Sequence, residues 1–263
     1  MSPSRPRIRL LVLVICACVL APAGARPADL YVEGHLSVSA GVGDSGGSVQ
    51  FAPAPPIPFR GDDTDSSPLF SGAFGYEFPL NEIFPLDWET PLPDWPLRVE
   101  LEGLGGRNYE LLTKGGDRYL TQVESWSLLN NFWMDFPVHK PVSRLFGRIP
   151  LLEPMSVYLG GGVGFSYTEL STSNNVLSGS DDSFHLTWQV GTGLSYRLTE
   201  YVSVNLGYRY VELGDFDYPI VNPPADRVGS FSLHLAAHEF TSGLRVNFFS
   251  VKSPGSWTFR RAR

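Results

Sequence analysis

Cysteine is nearly missing from this chain. There are 2 among 263 residues, Cys16 and Cys18, both inside one apolar run close to the N-terminus. If that run is removed, the remaining chain has no thiol, no disulfide and no cysteine ligand for a metal. Long apolar runs are missing too: beyond residue 25 no stretch of 18 apolar residues occurs, which excludes an inner-membrane helix on length. Positive charge is in the minority, with 20 Lys and Arg against 27 Asp and Glu. Nucleic acid is therefore not an expected partner, since phosphate binding needs a basic surface. The five histidines, His35, His139, His185, His234 and His238, lack metal-ligand spacing with cysteine or with one another. No cofactor and no metal are expected.

Strand and turn formers are what the chain has instead: 13% aromatic residues, 27 Gly and 22 Pro point to an all-β protein. Residues 1–25 stand apart. Arg5, Arg7 and Arg9 precede the apolar run Leu10 to Leu20, and Ala21-Pro22-Ala23-Gly24-Ala25 comes after it. Basic end, short apolar run and small residues make a secretory signal peptide, cut after Ala25 or alternatively after Ala28. Acylation at Cys18 is a rival reading, opposed by the apolar residues that continue past it. The formal charge of −7 includes three leader Arg, so the mature chain carries −7 − 3 = −10.

After the leader, hydrophobicity has a period of two. Leu30, Val32, Leu36, Val38, Ala40 and Val42 alternate with Tyr31, Glu33, His35, Ser37 and Ser39. Successive strand side chains point to opposite faces, so one face is greasy and the other wet. Seven further segments alternate in the same way: Phe70–Phe78, Leu97–Gly103, Ser125–Phe136, Val157–Tyr167, Leu186–Leu198, Val202–Tyr210 and Phe240–Phe248. A soluble sandwich would also alternate. The polar face decides between them, because it carries acids and arginines that can pair inside a narrow closed lumen while lipid covers the apolar face. An open sheet is excluded, since lipid cannot satisfy a free edge. The expected fold is an eight-stranded antiparallel up-and-down transmembrane β-barrel over residues 26–249, with a short extension, 250–263, after it. Glu33, Glu100, Glu102, Arg197, Arg209, Glu239 and Arg245 are expected to form a structural charge network in the lumen.

With a periplasmic N-terminus, Asp44–Pro68, Arg107–Leu120, Leu170–Ser183 and Gly214–Ser232 become external loops, as their Gly, Ser, Asn, Asp and Pro content suggests. Two inner connections, Pro79–Pro96 and Pro137–Pro154, are longer than expected; Thr199–Tyr201 is a tight turn.

Several stretches in series carry a family resemblance. Ser127-Leu128-Leu129-Asn130-Asn131-Phe132-Trp133-Met134-Asp135-Phe136-Pro137 resembles the fourth strand of the opacity-like, OmpA-like family of small Gram-negative outer-membrane barrels. Tyr158-Leu159-Gly160-Gly161-Gly162-Val163-Gly164 resembles its fifth. Gln189 to Thr199, Leu206-Gly207-Tyr208-Arg209-Tyr210, His238-Glu239-Phe240 and Gly243-Leu244-Arg245 resemble its later strands. The resemblance spans most of residues 29–249 and implies an eight-stranded barrel in the outer membrane with no catalytic site common to the family. The chain departs from the family in two ways. Members usually end on an aromatic residue, whereas here Ser250–Arg263 extends beyond Phe248-Phe249. The chain is also too short for the peptidoglycan-binding domain that OmpA carries.

Sharper motifs compete with plainer ones. Gly41-Val42-Gly43-Asp44-Ser45-Gly46 fits G-x-G-x-x-G, but Gly47-Ser48-Val49-Gln50-Phe51-Ala52-Pro53 cannot open a helix, so a flexible outer loop is expected. Gly160 to Gly164 is expected to be a strand with room inside the barrel. His35 with Ser37, or His238 with Glu239, could suggest a lipid A deacylase; adjacent strand residues point apart, which argues against the second pair. Asp62-Asp63-Thr64-Asp65, Asp181-Asp182 and Asp215-Phe216-Asp217 read as solvated loop charge, with divalent cations bridging lipopolysaccharide as the alternative. The expected function is non-enzymatic: an outer-membrane protein that anchors surface loops for envelope integrity or surface contact. A small-solute pore and a lipid A-modifying enzyme are the alternatives. Expected partners are outer-membrane lipid, lipopolysaccharide and the barrel-assembly machinery during insertion, with the chain a monomer.

Overall fold

The computed structural model describes residues 29–50, 55–79, 95–114, 118–139, 142, 147, 149–174, 176–222, 227–253 and 256–259. The expected signal peptide and most of the two long connections lie outside these residues. One antiparallel sheet runs in chain order through β1 (Asp29–Gln50), β2 (Ile57–Pro79), β3 (Pro96–Lys114), β4 (Arg118–Pro137), β5 (Met155–Ser173), β6 (Ser178–Arg197), β7 (Val202–Asn222), β8 (Arg227–Ser253) and β9 (Ser256–Phe259). β1 also pairs with β8, from Asp29 opposite Ser250 to Gln50 opposite Val228. That pairing closes an eight-stranded up-and-down barrel and removes its edges. β9 lies in the C-terminal extension and folds back on β8, with Phe259 opposite Phe249.

Period-two patterning sets which side chains point inward. On β4, Tyr119, Val123, Ser127, Asn131 and Asp135 are buried in the lumen, while Trp126 and Phe132 stand outward and more than half exposed. Leu36, Phe70, Leu186 and Phe240 are likewise 60–66% exposed on the outside. So much large apolar surface is stable only against another apolar phase. On β5 the outward apolar band runs from Val157 to Tyr167, the span of about 9–11 residues that a tilted strand needs to cross a bilayer.

The strands continue well past that band. β3 has 19 residues and β8 has 27. The four segments expected as external loops are therefore mostly strand, and the Gly41 to Gly46 stretch expected as a flexible loop is part of β1. The reason is an inversion of polarity. Toward the hairpin tips the outward positions become Asp44, Glu110, Glu124, Glu169, Asp182 and His234, and the inward ones become Tyr109, Leu111, Val123, Leu170, Leu233 and Phe231. The upper half of the barrel is thus built like a soluble protein, apolar inside and polar outside. Two bulges keep the faces in phase. Gly106 (φ 88°) lets the inward set on β3 pass from Glu102 and Leu104 to Arg107 and Tyr109. Gly214 (φ 114°) does the same on β7 between Leu213 and Phe216.

Inward glycines make room for rings. A Cβ on Gly75 would lie 2.6 Å from Tyr31 Cζ and 2.8 Å from Glu100 Cβ. Gly75→Val is expected to destabilise the barrel by about 1–3 kcal/mol through overpacking, read as a lower urea midpoint for the micelle-folded protein.

Candidate functional site

At the level of the apolar band, charge fills the lumen. Arg209 Nη1 meets both oxygens of Glu102, at 2.9 and 3.0 Å, and its Nε meets Glu239 Oε2 at 2.5 Å. The other oxygen of Glu239 takes Arg107 Nε at 2.7 Å and Ser39 Oγ at 3.0 Å. Nearer the chain termini, Arg98 forks onto Asp135 at 2.9 and 3.3 Å and lies 3.5 Å from Glu33. Glu100 accepts from Trp133 Nε1 at 2.6 Å, Tyr31 Oη at 2.8 Å and Asn131 Nδ2 at 3.1 Å. Asn205 donates to Glu33. These groups are almost wholly desolvated, so each depends on its partners rather than on water.

Above the network lies the apolar core. Phe59 stacks on Tyr119 with ring centroids 4.8 Å apart, and Phe231 packs 5.3 Å from Tyr218. Tyr109 joins the two levels: its ring belongs to the core and its hydroxyl is 2.6 Å from Ser39 Oγ. The wall here is partly stitched by side chains. The β2–β3 ladder stops at Phe70 opposite Gly105. Beyond it, Ser67 Oγ, Asp65 Oδ2 and Asp63 Oδ2 accept from the backbone N–H groups of Asn108, Glu110 and Leu112 at 3.1, 2.8 and 2.7 Å.

Of the seven residues expected in the lumenal network, Glu33, Glu100, Glu102, Arg209, Glu239 and Arg245 are buried inside it. Arg197 is not: it is exposed at the end of β6, because the strand leaves the band there and turns through residues 198–201. Arg98 and Asp135 belong to the network, as does Arg107, expected at the start of an external loop. The adjacent Gly105-Gly106 pair is the available signal, since a bulge there restores Arg107 to the inward face.

The histidine pairs come apart. His35 points inward and spends Nε2 on Glu33 at 2.8 Å and Nδ1 on Ser71 at 3.2 Å, while Ser37 Oγ has no hydrogen-bond partner among the described residues. His238 points outward, 2.7 Å from Tyr208 Oη, and Glu239 points inward. The acidic clusters are mostly engaged locally. Asp63 and Asp65 stitch the β2–β3 seam, Asp181 accepts from Ser183 at 3.0 Å, and Asp215 bonds His234 at 2.8 Å. Above the band, Arg60 bonds Asp44 at 2.7 Å and holds its carboxyl below the usual carboxylate range. Gly160 and Gly162 leave room for Trp133 and Asn131, as expected of a Gly-rich strand in a narrow barrel.

A closed sheet with an apolar exterior band and a charged, filled lumen defines a membrane-spanning β-barrel. The sequence matches the family described as Outer membrane protein beta-barrel domain over residues 10–248, so the chain belongs to that family and its place is the outer membrane. Solved structures similar to it include the Neisserial surface protein A, with 17% identity over 81% of this chain and 97% of that one and a TM-score of 0.38. The outer membrane protein OprG from Pseudomonas aeruginosa has 16% identity over 86% and 98%, with a TM-score of 0.48. The outer membrane protease OmpT from Escherichia coli has 8% identity over 83% and 97%, with a TM-score of 0.41. No curated protein matches the chain.

Proposed function

We propose that this protein is a sealed, non-enzymatic barrel that raises rigid hairpin tips above the outer membrane for surface contact and envelope integrity. The observation that carries this reading is the double closure of the lumen, in which an apolar core sits directly on a desolvated charge network. An eight-stranded barrel has an interior that side chains can fill, and here both levels are filled. On this reading the extension, whose outward row of carboxylates cannot face the apolar phase, stands on the external side at the level of the lipopolysaccharide headgroups, with the tips beyond them and the N-terminus on the periplasmic side. The signal peptide at residues 1–25 would deliver the chain, and the barrel works as a monomer in lipid.

Planar-bilayer recording tests the seal. The purified protein is expected to give no steady conductance. A steady current that Glu102→Ala or Arg209→Ala alters would replace this reading with that of a pore. Mass spectrometry of lipid A from cells with and without the protein is expected to show the same acyl pattern, and a changed pattern would instead make it an enzyme.

A further inference from the structure

At the mouth on the side of the chain termini, a buried guanidinium has two idle nitrogens beside open cavities. Arg245 is 4% exposed, yet its Nε and Nη1 have no hydrogen-bond partner among the described residues. Its Nη2 reaches Ser195 Oγ at 3.3 Å. Among the described residues the carboxylates within ion-pair distance, Glu77 and Asp135, are each 3.8 Å from Nη1, and Asp135 is already forked onto Arg98. A buried guanidinium with idle N–H groups is costly unless something accepts from them. Two cavities of about 200 and 320 Å3 open at this point, and Arg245 lines both together with Glu77, Arg197 and Ser203. Glu200 lines the larger one.

The lining has both signs of charge. An anion alone would face Glu77, Glu200, Glu153 and Asp135, of which Asp135 is already held by Arg98, and a cation alone would face Arg197 and Arg245. A ligand with an oxyanion at one end and an N–H donor cation at the other satisfies both sets. We propose that this mouth binds a phosphate joined to a primary ammonium, the chemistry of ethanolamine phosphate, either free or as a phospholipid headgroup. The phosphate takes the idle N–H groups of Arg245 and the charge of Arg197; the ammonium takes Glu77 and Glu200. The position suits a headgroup, because the outward Phe248 marks the lower end of the apolar band on the adjacent wall.

The test is an amide-shift titration of the isotope-labelled, micelle-folded protein by NMR. O-phosphoethanolamine is expected to give saturable shifts confined to the surroundings of Glu77, Ser195, Arg197, Ser203 and Arg245. Inorganic phosphate or ethanolamine alone is expected to bind at least about tenfold more weakly, as loss of one charge-assisted contact implies. Arg197→Gln, at an exposed site whose loss leaves folding intact, is expected to weaken binding about tenfold as well. Dihexanoyl phosphatidylethanolamine separates the sources. Shifts with both probes support recognition of the group itself, and shifts with the lipid alone support a membrane headgroup. No saturable shift with either probe overturns the proposal, as does equal binding of inorganic phosphate or an unchanged affinity in Arg197→Gln.

Discussion

Glu239→Ala is expected to destabilise the barrel by about 3–5 kcal/mol, the scale of breaking a buried ion pair from one side. The carboxylate is fully buried and bridges Arg107 at 2.7 Å and Arg209 at 2.5 Å. Without it Arg209 keeps Glu102, but Arg107 keeps only Ser127 Oγ, at 2.7 Å, among its described hydrogen bonds. A guanidinium that was paired is then left charged and dry. Removing both charges should therefore cost less than removing one: Arg107→Met combined with Glu239→Leu is expected to recover much of the loss. Urea unfolding in micelles, followed by tryptophan fluorescence and by heat-modifiable gel migration, reads both variants. A Glu239→Ala protein within about 0.5 kcal/mol of wild type, the range of an ordinary surface change, would mean that water replaces the carboxylate and that the lumen is wet.

The membrane-level barrel was legible because its chemistry is written in alternation. Leu30 to Val42 and Val202 to Tyr210 show an apolar face opposite a polar one, and each of them falls on the expected strand. The upper half obeys the same rule with the faces exchanged. Phe216-Asp217-Tyr218-Pro219-Ile220 and Phe231-Ser232-Leu233-His234-Leu235 alternate as cleanly as any lower segment, with Phe216, Tyr218, Ile220, Phe231, Leu233 and Leu235 all inside. Their Asp, Pro and Ser content reads as loop only if every apolar residue is assumed to face lipid. Phase was the second obstacle. The bulges at Gly106 and Gly214 shift the inward set by one residue, so a single parity carried along β3 or β7 gives the wrong face beyond them. The network partners needed a third kind of information. That Glu239 meets Arg107 depends on β8 and β3 facing each other across the lumen, which no local pattern encodes.

Phe231→Ala should be equally severe in the upper half and nearly silent in the lower. The side chain is 1% exposed and packs among Tyr218, Phe59 and Tyr119, with ring centroids 5.3, 6.0 and 6.5 Å away. Truncating a core phenylalanine costs about 3–5 kcal/mol, through lost transfer energy and the cavity left behind. The surroundings decide where that cost falls. Above the band there is no lipid to hold the strands, the β2–β3 ladder has ended, and the register of β6 with β7 is interrupted between Ser178 and Trp188. The extension therefore relies on its apolar core as a soluble domain does. In Phe231→Ala the hairpin tips are expected to become open to proteinase K on intact cells, while heat-modifiable migration and the closed state in bilayer recording persist. Glu239→Ala should invert that pattern, lowering the unfolding midpoint of the whole barrel. If Phe231→Ala instead lowers the global midpoint and leaves the tips protected, the two levels unfold as one unit. Tyr109, whose ring is in the upper core while its hydroxyl reaches Ser39 beside Glu239, would then be the residue that joins them.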